Sequence, residues 1–442
     1  MKDIKRVAVL GAGTMGGGIA GICANAGCEV LLLDVERGAG EAARRRLAAG
    51  RSPVLRDAES PERITCGSFA DDLGKIADCD WICEAVVEDL SVKREMFSRV
   101  EAARADGALL STNTSGIPLR DICAGLPERL QRDIAVTHFF NPAHLMKLVE
   151  LVPGERTRRE TLDALAGFLG NRLGKGVVHA KDTVNFIANR IGCFWMLAGL
   201  HLAEKAMRED GLNTETVDRL TSVPLGLPPG AGLYGLIDLI GLDVMFNVGA
   251  NLDANLPAND AGRRFTAFTD RVQRLYERGQ LGRKTGGGFY QLTRHDDGSR
   301  TLRVFDLHSE HWRTAEKPEL PPDQQTLPGL FASDNANGRF ARELVTETLC
   351  YAAGLVPEIS DDIVNIDRAM RWGFNWQRGP FEMIDQIGAP RLIAEIKRAS
   401  PEPPGMLRVL EGGAGRAFYR DAGGGREYLT AAGDWAAVQE SV

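Results

Sequence analysis

At 442 residues the chain has room for two or three domains, and a core of that size needs no disulfides or metal to hold it. Hydrophobic residues at 44% and charged residues at 26% exclude a disordered chain, and a net charge of −7 argues against a general nucleic-acid binder. A small anionic substrate needs only a local basic patch, so that class stays open.

Residues 1–6 run straight into the strand-like run 7–10, with no apolar stretch before a cleavage site, so no signal peptide is expected. The longest nearly apolar run, 191–203, is interrupted by His201 and falls short of the about 20 residues a membrane span needs. The eight cysteines show no CxxC spacing. Neither zinc nor a disulfide framework is expected, and a reduced, cytoplasmic setting follows.

Up to residue 150, apolar strand-like runs alternate with helical patterns, which predicts a parallel sheet covered by helices. The candidate strands are 7–10, 30–33, 81–87, 109–111, 134–139 and 148–152. Between the first two lies Gly11-Ala12-Gly13-Thr14-Met15-Gly16, opening an apolar helix. In such a turn Gly11 permits the reversal, Gly13 lets a pyrophosphate reach the backbone, and Gly16 brings helix and strand together. The helix N-terminus then offers N–H groups and partial positive charge to the anion. The next strand ends in Asp34, the spacing expected of an acid bonding ribose hydroxyls. An acid there repels a 2′-phosphate and favours NAD over NADP, although Arg37 nearby keeps the second open.

Ser115 follows strand 109–111 in a polar cluster, where a helix N-cap is the plain alternative to a functional role. His138 ends an apolar run, at the strand end where open sheets bind ligands, and histidine moves protons well near neutral pH. Glu150 is a charge embedded in the apolar run 147–152, and a buried carboxylate needs a partner. A His138–Glu150 dyad and an unrelated core histidine and edge glutamate fit this spacing equally well. Asn189 sits in an apolar helix, able to bond a substrate carbonyl or to cap and bridge.

Past residue 181 long helical segments dominate. Two blocks look alike: Val217-Asp218-Arg219-Leu220 before GLIDLIG (235–241), and Ile366-Asp367-Arg368-Ala369 before GPFEMIDQIG (379–388). Two matched segments in the same order favour duplication. Residues 291–334 read as a linker with one hairpin, and 399–442 as a Gly-rich, poorly patterned tail.

These residues together resemble the L-3-hydroxyacyl-CoA dehydrogenase family of fatty-acid β-oxidation. The stretches that carry the likeness are GAGTMGGGIA (11–20), EAVVEDLSVK (84–93), STNTSGI (111–117), THFFNPAHLMKLVE (137–150), KDTVNFIANRIG (181–192) and LGRKTGGGFY (281–290). The duplicated block resembles the dehydrogenase part of multifunctional β-oxidation proteins. The resemblance implies an α/β Rossmann-like NAD-binding domain (1–182) followed by two related all-α domains (183–290 and 335–398). It implies NAD-dependent oxidation of an L-3-hydroxyacyl-CoA, with no metal, and association with a hydratase or thiolase partner. No recognisable hydratase stretch is present, so that activity is expected from another chain or segment.

Residue by residue, His138 matches the catalytic base and Glu150 the acid that orients it. Ser115 and Asn189 match the groups holding the substrate's hydroxyl and thioester carbonyl. Met15, Asp34, Val87, Glu88, Lys93, Ser115 and Asn141 match cofactor-contacting positions. Asn185 stands where the family commonly has Gly, and residues 225–230 depart from the usual loop before GLIDLIG; both bear on the acyl side. Gly338 occupies the second block's equivalent of Asn189, which implies one active site per chain and an internal pairing of the two blocks. Arg44, Arg45, Arg46 and Arg51 form either a patch for the CoA phosphates or a solvated helix face. Two competing readings remain: a β-hydroxyacid dehydrogenase using Lys181 and Asn185 in K-x-x-x-N spacing, and a non-catalytic NAD-binding protein.

Overall fold

The computed structural model describes residues 3–49, 53–228, 230–399 and 402–440. Two compact units emerge, one built mainly from residues up to Ile187 and the other from Ala188 onward.

The first unit is an eight-stranded sheet. Its strands are β1 (Arg6–Leu10), β2 (Glu29–Asp34), β3 (Ile64–Ser68), β4 (Trp81–Glu84), β5 (Leu109–Thr112), β6 (Ile134–Phe139), β7 (Leu148–Pro153) and β8 (Gly176–His179), in the order β3-β2-β1-β4-β5-β6-β7-β8. Val7, Ala8, Val9 and Leu10 are all fully buried, as a strand covered on both faces requires. The helices Thr14–Asn25, Arg37–Ala48 and Leu90–Ala103 follow β1, β2 and β4 as crossovers.

Three expectations about this sheet need correction. It is mixed, because β7 runs antiparallel to β6 while β8 is parallel to β7. Residues 140–147 are too few for a parallel crossover, which takes a dozen or more, so the chain can only reverse. The strand expected over 81–87 ends at Glu84, freeing residues 85–87 to line a cavity. Strands β3 and β8 were not anticipated: they are the two sheet edges, short and bearing Gly and polar residues, so their hydrophobic pattern is weak.

The second unit holds both helical blocks. The first contains the helices Ala188–Asp210, Thr214–Ser222 and Leu233–Ile240; the second repeats them as Ala336–Gly354, Ile363–Gly373 and Pro380–Ile387. Within the expected bounds both blocks are helical, and each is followed by a small sheet. The expected linker forms a three-stranded antiparallel sheet from β9 (Tyr290–Arg294), β10 (Arg300–Asp306) and β11 (His311–Thr314). The expected unpatterned tail forms another from β12 (Tyr419–Ala422), β13 (Gly425–Leu429) and β14 (Trp435–Ala437).

Aspartates, buried or half-buried, tie each sheet to its block. Asp238 accepts backbone N–H groups from Phe289 (2.8 Å) and Tyr290 (2.7 Å). Asp385 accepts the corresponding pair from Phe418 (2.7 Å) and Tyr419 (2.9 Å). Asp218 accepts from Tyr234 and Gly235, just as Asp367 does from Phe381 and Glu382. Each block thus sets a pair of aspartates against the same kind of backbone groups. At the start of the second block, a side chain at Gly338 would place its Cβ 1.9 Å from the Ser333 carbonyl oxygen, so no side chain fits there.

Candidate active site

The glycine turn after β1 behaves as its sequence requires. Gly11 has φ +109°, and a Cβ there would meet the Ala85 carbonyl oxygen at 2.4 Å. A Cβ on Gly16 would lie 1.9 Å from the Gly11 carbonyl oxygen, so helix and turn can touch only through glycine. A Cβ on Gly13 would meet nothing within 4 Å; that face opens outward. No side chain caps the helix Thr14–Asn25 at Gly13, which leaves its first turn to an anionic ligand.

Beside this turn lies a cavity of about 600 Å³, lined by Gly11, Gly13, Met15, Asp34, Val87, Glu88 and Ser115 among the expected residues. Asp34 ends β2 and is braced by the backbone N–H groups of Ala12 (2.6 Å) and Val35 (2.7 Å). Arg37, the one group that kept a 2′-phosphate open, is paired with Asp72 at 3.1 Å. Val35 and Val87 are exposed by 73% and 67%, apolar walls on which a planar ring can lie. The residues present therefore fit a dinucleotide: a bare backbone for phosphate, an acid for ribose and apolar flanks for a base.

Behind the cavity wall sits a buried charge network. The Lys93 ammonium, 1% exposed, lies 2.8 Å from Glu84 Oε1 and 3.2 Å from Glu88 Oε2. Lys93 thus meets the site through Glu88, not on the cavity wall. Glu84 is fully buried and also accepts from Thr112 Oγ1 (2.6 Å) and the Val86 N–H (2.8 Å). Glu88 Oε1 accepts from Thr114 Oγ1 and from the backbone N–H groups of Ser115 and Gly116. Burial raises the Glu88 carboxyl, but the Lys93 charge and these hydrogen bonds outweigh it and hold the group below its usual value. Ser115 is exposed in this turn and caps no helix, since the next one, Leu119–Cys123, begins after Pro118.

His138 on β6 and Glu150 on β7 are register partners in the antiparallel pair. His138 Nδ1 and Glu150 Oε2 are 2.7 Å apart; the residues are 3% and 0% exposed. Glu150 Oε1 accepts the Ile187 N–H at 3.0 Å. An ionised carboxylate can only accept, so Nδ1 carries the proton and Nε2 is left as the basic nitrogen. The rings of Phe140 and Phe186 lie 4.6 and 5.6 Å from the imidazole centroid. The two residues are thus hydrogen-bond partners within the sheet.

Asn189 lies in the first turn of the helix Ala188–Asp210, half-buried. Asn141 is exposed and borders a smaller cavity that shares Gly13 and Thr14 with the main one. Asn185, 5% exposed, adopts φ +60°, a left-handed conformation that glycine takes without strain and asparagine tolerates. In the departing loop, Gly226 has φ +72° and packs against Gln377, while Pro229 lies outside the described residues. Arg44 and Arg46 donate to the carbonyls of Ile64 and Ala12, Arg45 faces Glu41 at 4.0 Å, and Arg51 lies outside the described residues.

Sequence reasoning passed over Glu84, Asn113 and Val35. Asn113 lines the cavity and fixes the end of β6 by accepting the Phe139 N–H at 2.9 Å. The available signals were a charge closing an apolar strand at Glu84 and a lone valine directly after the strand-end acid.

The glycine turn, the acid closing β2 and the cavity between them define a dinucleotide-binding domain of the Rossmann type. Residues 6–183 match the NAD binding domain of 3-hydroxyacyl-CoA dehydrogenase, and residues 186–292 match the C-terminal domain of the same enzyme. A Deinococcus radiodurans protein named "Probable 3-hydroxyacyl-CoA dehydrogenase" is 35% identical over 326 residues, 72% of this chain and 91% of that protein. The chain belongs to the 3-hydroxyacyl-CoA dehydrogenase family, and NAD is the cofactor of its first domain. A Rickettsia felis protein named "Putative fatty acid oxidation complex trifunctional enzyme" is 35% identical over 404 residues, 90% of this chain. This chain covers 55% of that relative, about half its length. The crystal structure of Escherichia coli 3-hydroxybutyryl-CoA dehydrogenase shares the fold, with a TM-score of 0.68, 24% identity, and coverage of 92% of this chain and 98% of that one.

Proposed function

We propose that this chain oxidises L-3-hydroxyacyl-CoA to 3-ketoacyl-CoA with NAD, as a step of fatty-acid β-oxidation in the cytoplasm. The observation that carries the reading is the buried His138–Glu150 pair, set on the same sheet whose β1 and β2 ends build the dinucleotide cradle. NAD, when bound, supplies the hydride acceptor. His138 Nε2 takes the proton of the 3-hydroxyl, and Glu150 stabilises the imidazolium that results. Ser115 holds the substrate hydroxyl and Asn189 its thioester carbonyl. Asp34 accepts from the adenosine ribose and excludes a 2′-phosphate. The name of the Rickettsia felis relative, a fatty acid oxidation complex trifunctional enzyme, supports the β-oxidation setting, in which a hydratase or thiolase partner would act beside this chain.

The test is direct. The purified chain is given NAD and L-3-hydroxyacyl-CoAs of short, medium and long acyl chain, and NADH formation is followed. Turnover of the L isomer and not the D isomer is expected. Absence of turnover across all chain lengths, with NAD binding intact, removes the assignment.

A further inference from the structure

The helix that carries Asn189 is held, over its first two turns, by side chains of the second block. Arg190, 1% exposed, donates through Nε to the Tyr351 hydroxyl (2.5 Å) and through Nη2 to Asp260 Oδ2. The Tyr351 hydroxyl donates in turn to Asp260 Oδ1 at 3.1 Å, and the same oxygen accepts the Gly262 N–H at 2.7 Å. One turn on, Phe194 stacks on the Tyr351 ring, centroids 4.0 Å apart and planes at 18°. Gly192 faces the Phe374 ring so closely that a Cβ would come within 1.9 Å of it.

A buried ion pair is costly unless it is hydrogen-bonded, and here a phenol from the duplicated block bonds both partners. An apolar stack alone would hold the helix down but leave it free to roll. A guanidinium is planar and its donors are fixed in direction, so it also sets rotation. Rotation matters for the neighbouring residue: rolling a helix by about 10° moves a side-chain tip about 6 Å from the axis by about 1 Å. A misplacement of that size is enough to cost on the order of a hundredfold in rate.

We propose that Arg190, Asp260 and Tyr351 are positioning residues that fix the rotation of the Asn189 helix, so that the second block supports the active site of the first. The proposal rests on the reading of Asn189 as the group that holds the thioester carbonyl.

Tyr351→Phe tests it, because the substitution keeps the ring stack and deletes only the hydroxyl. The loss of a hydrogen bond to charged partners should lower kcat/KM by roughly tenfold, with NAD affinity and the thermal midpoint close to those of the parent. In an Asn189→Ala background the same substitution should cost less than about twofold, since coupled residues are not additive. Asp260→Asn serves as the second variant and should show the same dependence on Asn189. Equal losses with and without Asn189, or no loss in either Tyr351→Phe or Asp260→Asn, overturns the proposal while leaving the role of Asn189 intact. A normal rate in Asn189→Ala alone overturns both.

Discussion

His138 and Glu150 stand twelve positions apart in the chain and directly opposite one another across β6 and β7, with Nδ1 and Oε2 at 2.7 Å. Directly opposed residues of an antiparallel pair project from the same face of a sheet. The contact exists because the chain reverses after Phe139 rather than crossing over. A one-residue slip of β7 would turn the carboxylate to the other face.

His138→Gln should therefore lower kcat by about 10²–10⁴, the usual worth of a general base, while the NAD dissociation constant stays unchanged. Glu150→Gln should also lower kcat, because a neutral amide stabilises an imidazolium poorly. Steady-state kinetics with a separate NAD titration checks both. A near-normal kcat in His138→Gln would contradict the assigned base.

Asp34→Asn keeps acceptors for the Ala12 and Val35 amides in part and removes the charge. Discrimination between NAD and NADP, as the ratio of kcat/KM values, should fall by roughly tenfold or more, the scale of one charged hydrogen bond. An unchanged ratio would mean that another group, not this carboxylate, rejects the 2′-phosphate.

Gly192→Ala adds one methyl where the Phe374 ring leaves no space. Overpacking of this kind typically costs about 1–3 kcal/mol. Denaturant unfolding should show a lowered midpoint, and Phe374→Leu in the same chain should recover part of it. Equal midpoints for Gly192→Ala and the parent would contradict the close approach.

Asp218 and Asp238 are buried, and burial pushes their carboxyls up to about 7 and about 6, against the hydrogen bonds that pull them down. Between about pH 4 and those values the folded chain holds protons that the unfolded chain has released. Their contribution to stability is whole below about pH 4 and is lost as pH rises through 6 and 7. Replacing Asp238 by Asn removes one such proton. The slope of Tm against pH from 5 to 7.5 should then be less negative in the variant than in the parent. Identical slopes would mean that Asp238 titrates as an ordinary carboxyl.

Local pattern alone made much of this protein legible. Gly11, Gly13 and Gly16 sit between an apolar strand and an apolar helix, and Asp34 closes the next strand. Those features depend on near neighbours in the chain, so the cradle could be read from its residues. His138 and Glu150 could be named as candidates, but their pairing could not, because spacing along a chain does not say which strands face each other. That was decided by the reversal between β6 and β7. Likewise Lys93 stands behind Glu88 and not on the cavity wall, a matter of which face of its helix the sheet buries. The segments that read as linker and tail show little strand alternation in sequence, although each buries apolar side chains such as Val304, Phe305, Phe418 and Leu429. Their first backbone amides are tied to Asp238 and Asp385, dozens of residues earlier in the chain. Charge and hydrophobic period act locally and can be read in sequence; the satisfaction of a buried polar group is a long-range matter, and only the folded chain decides it.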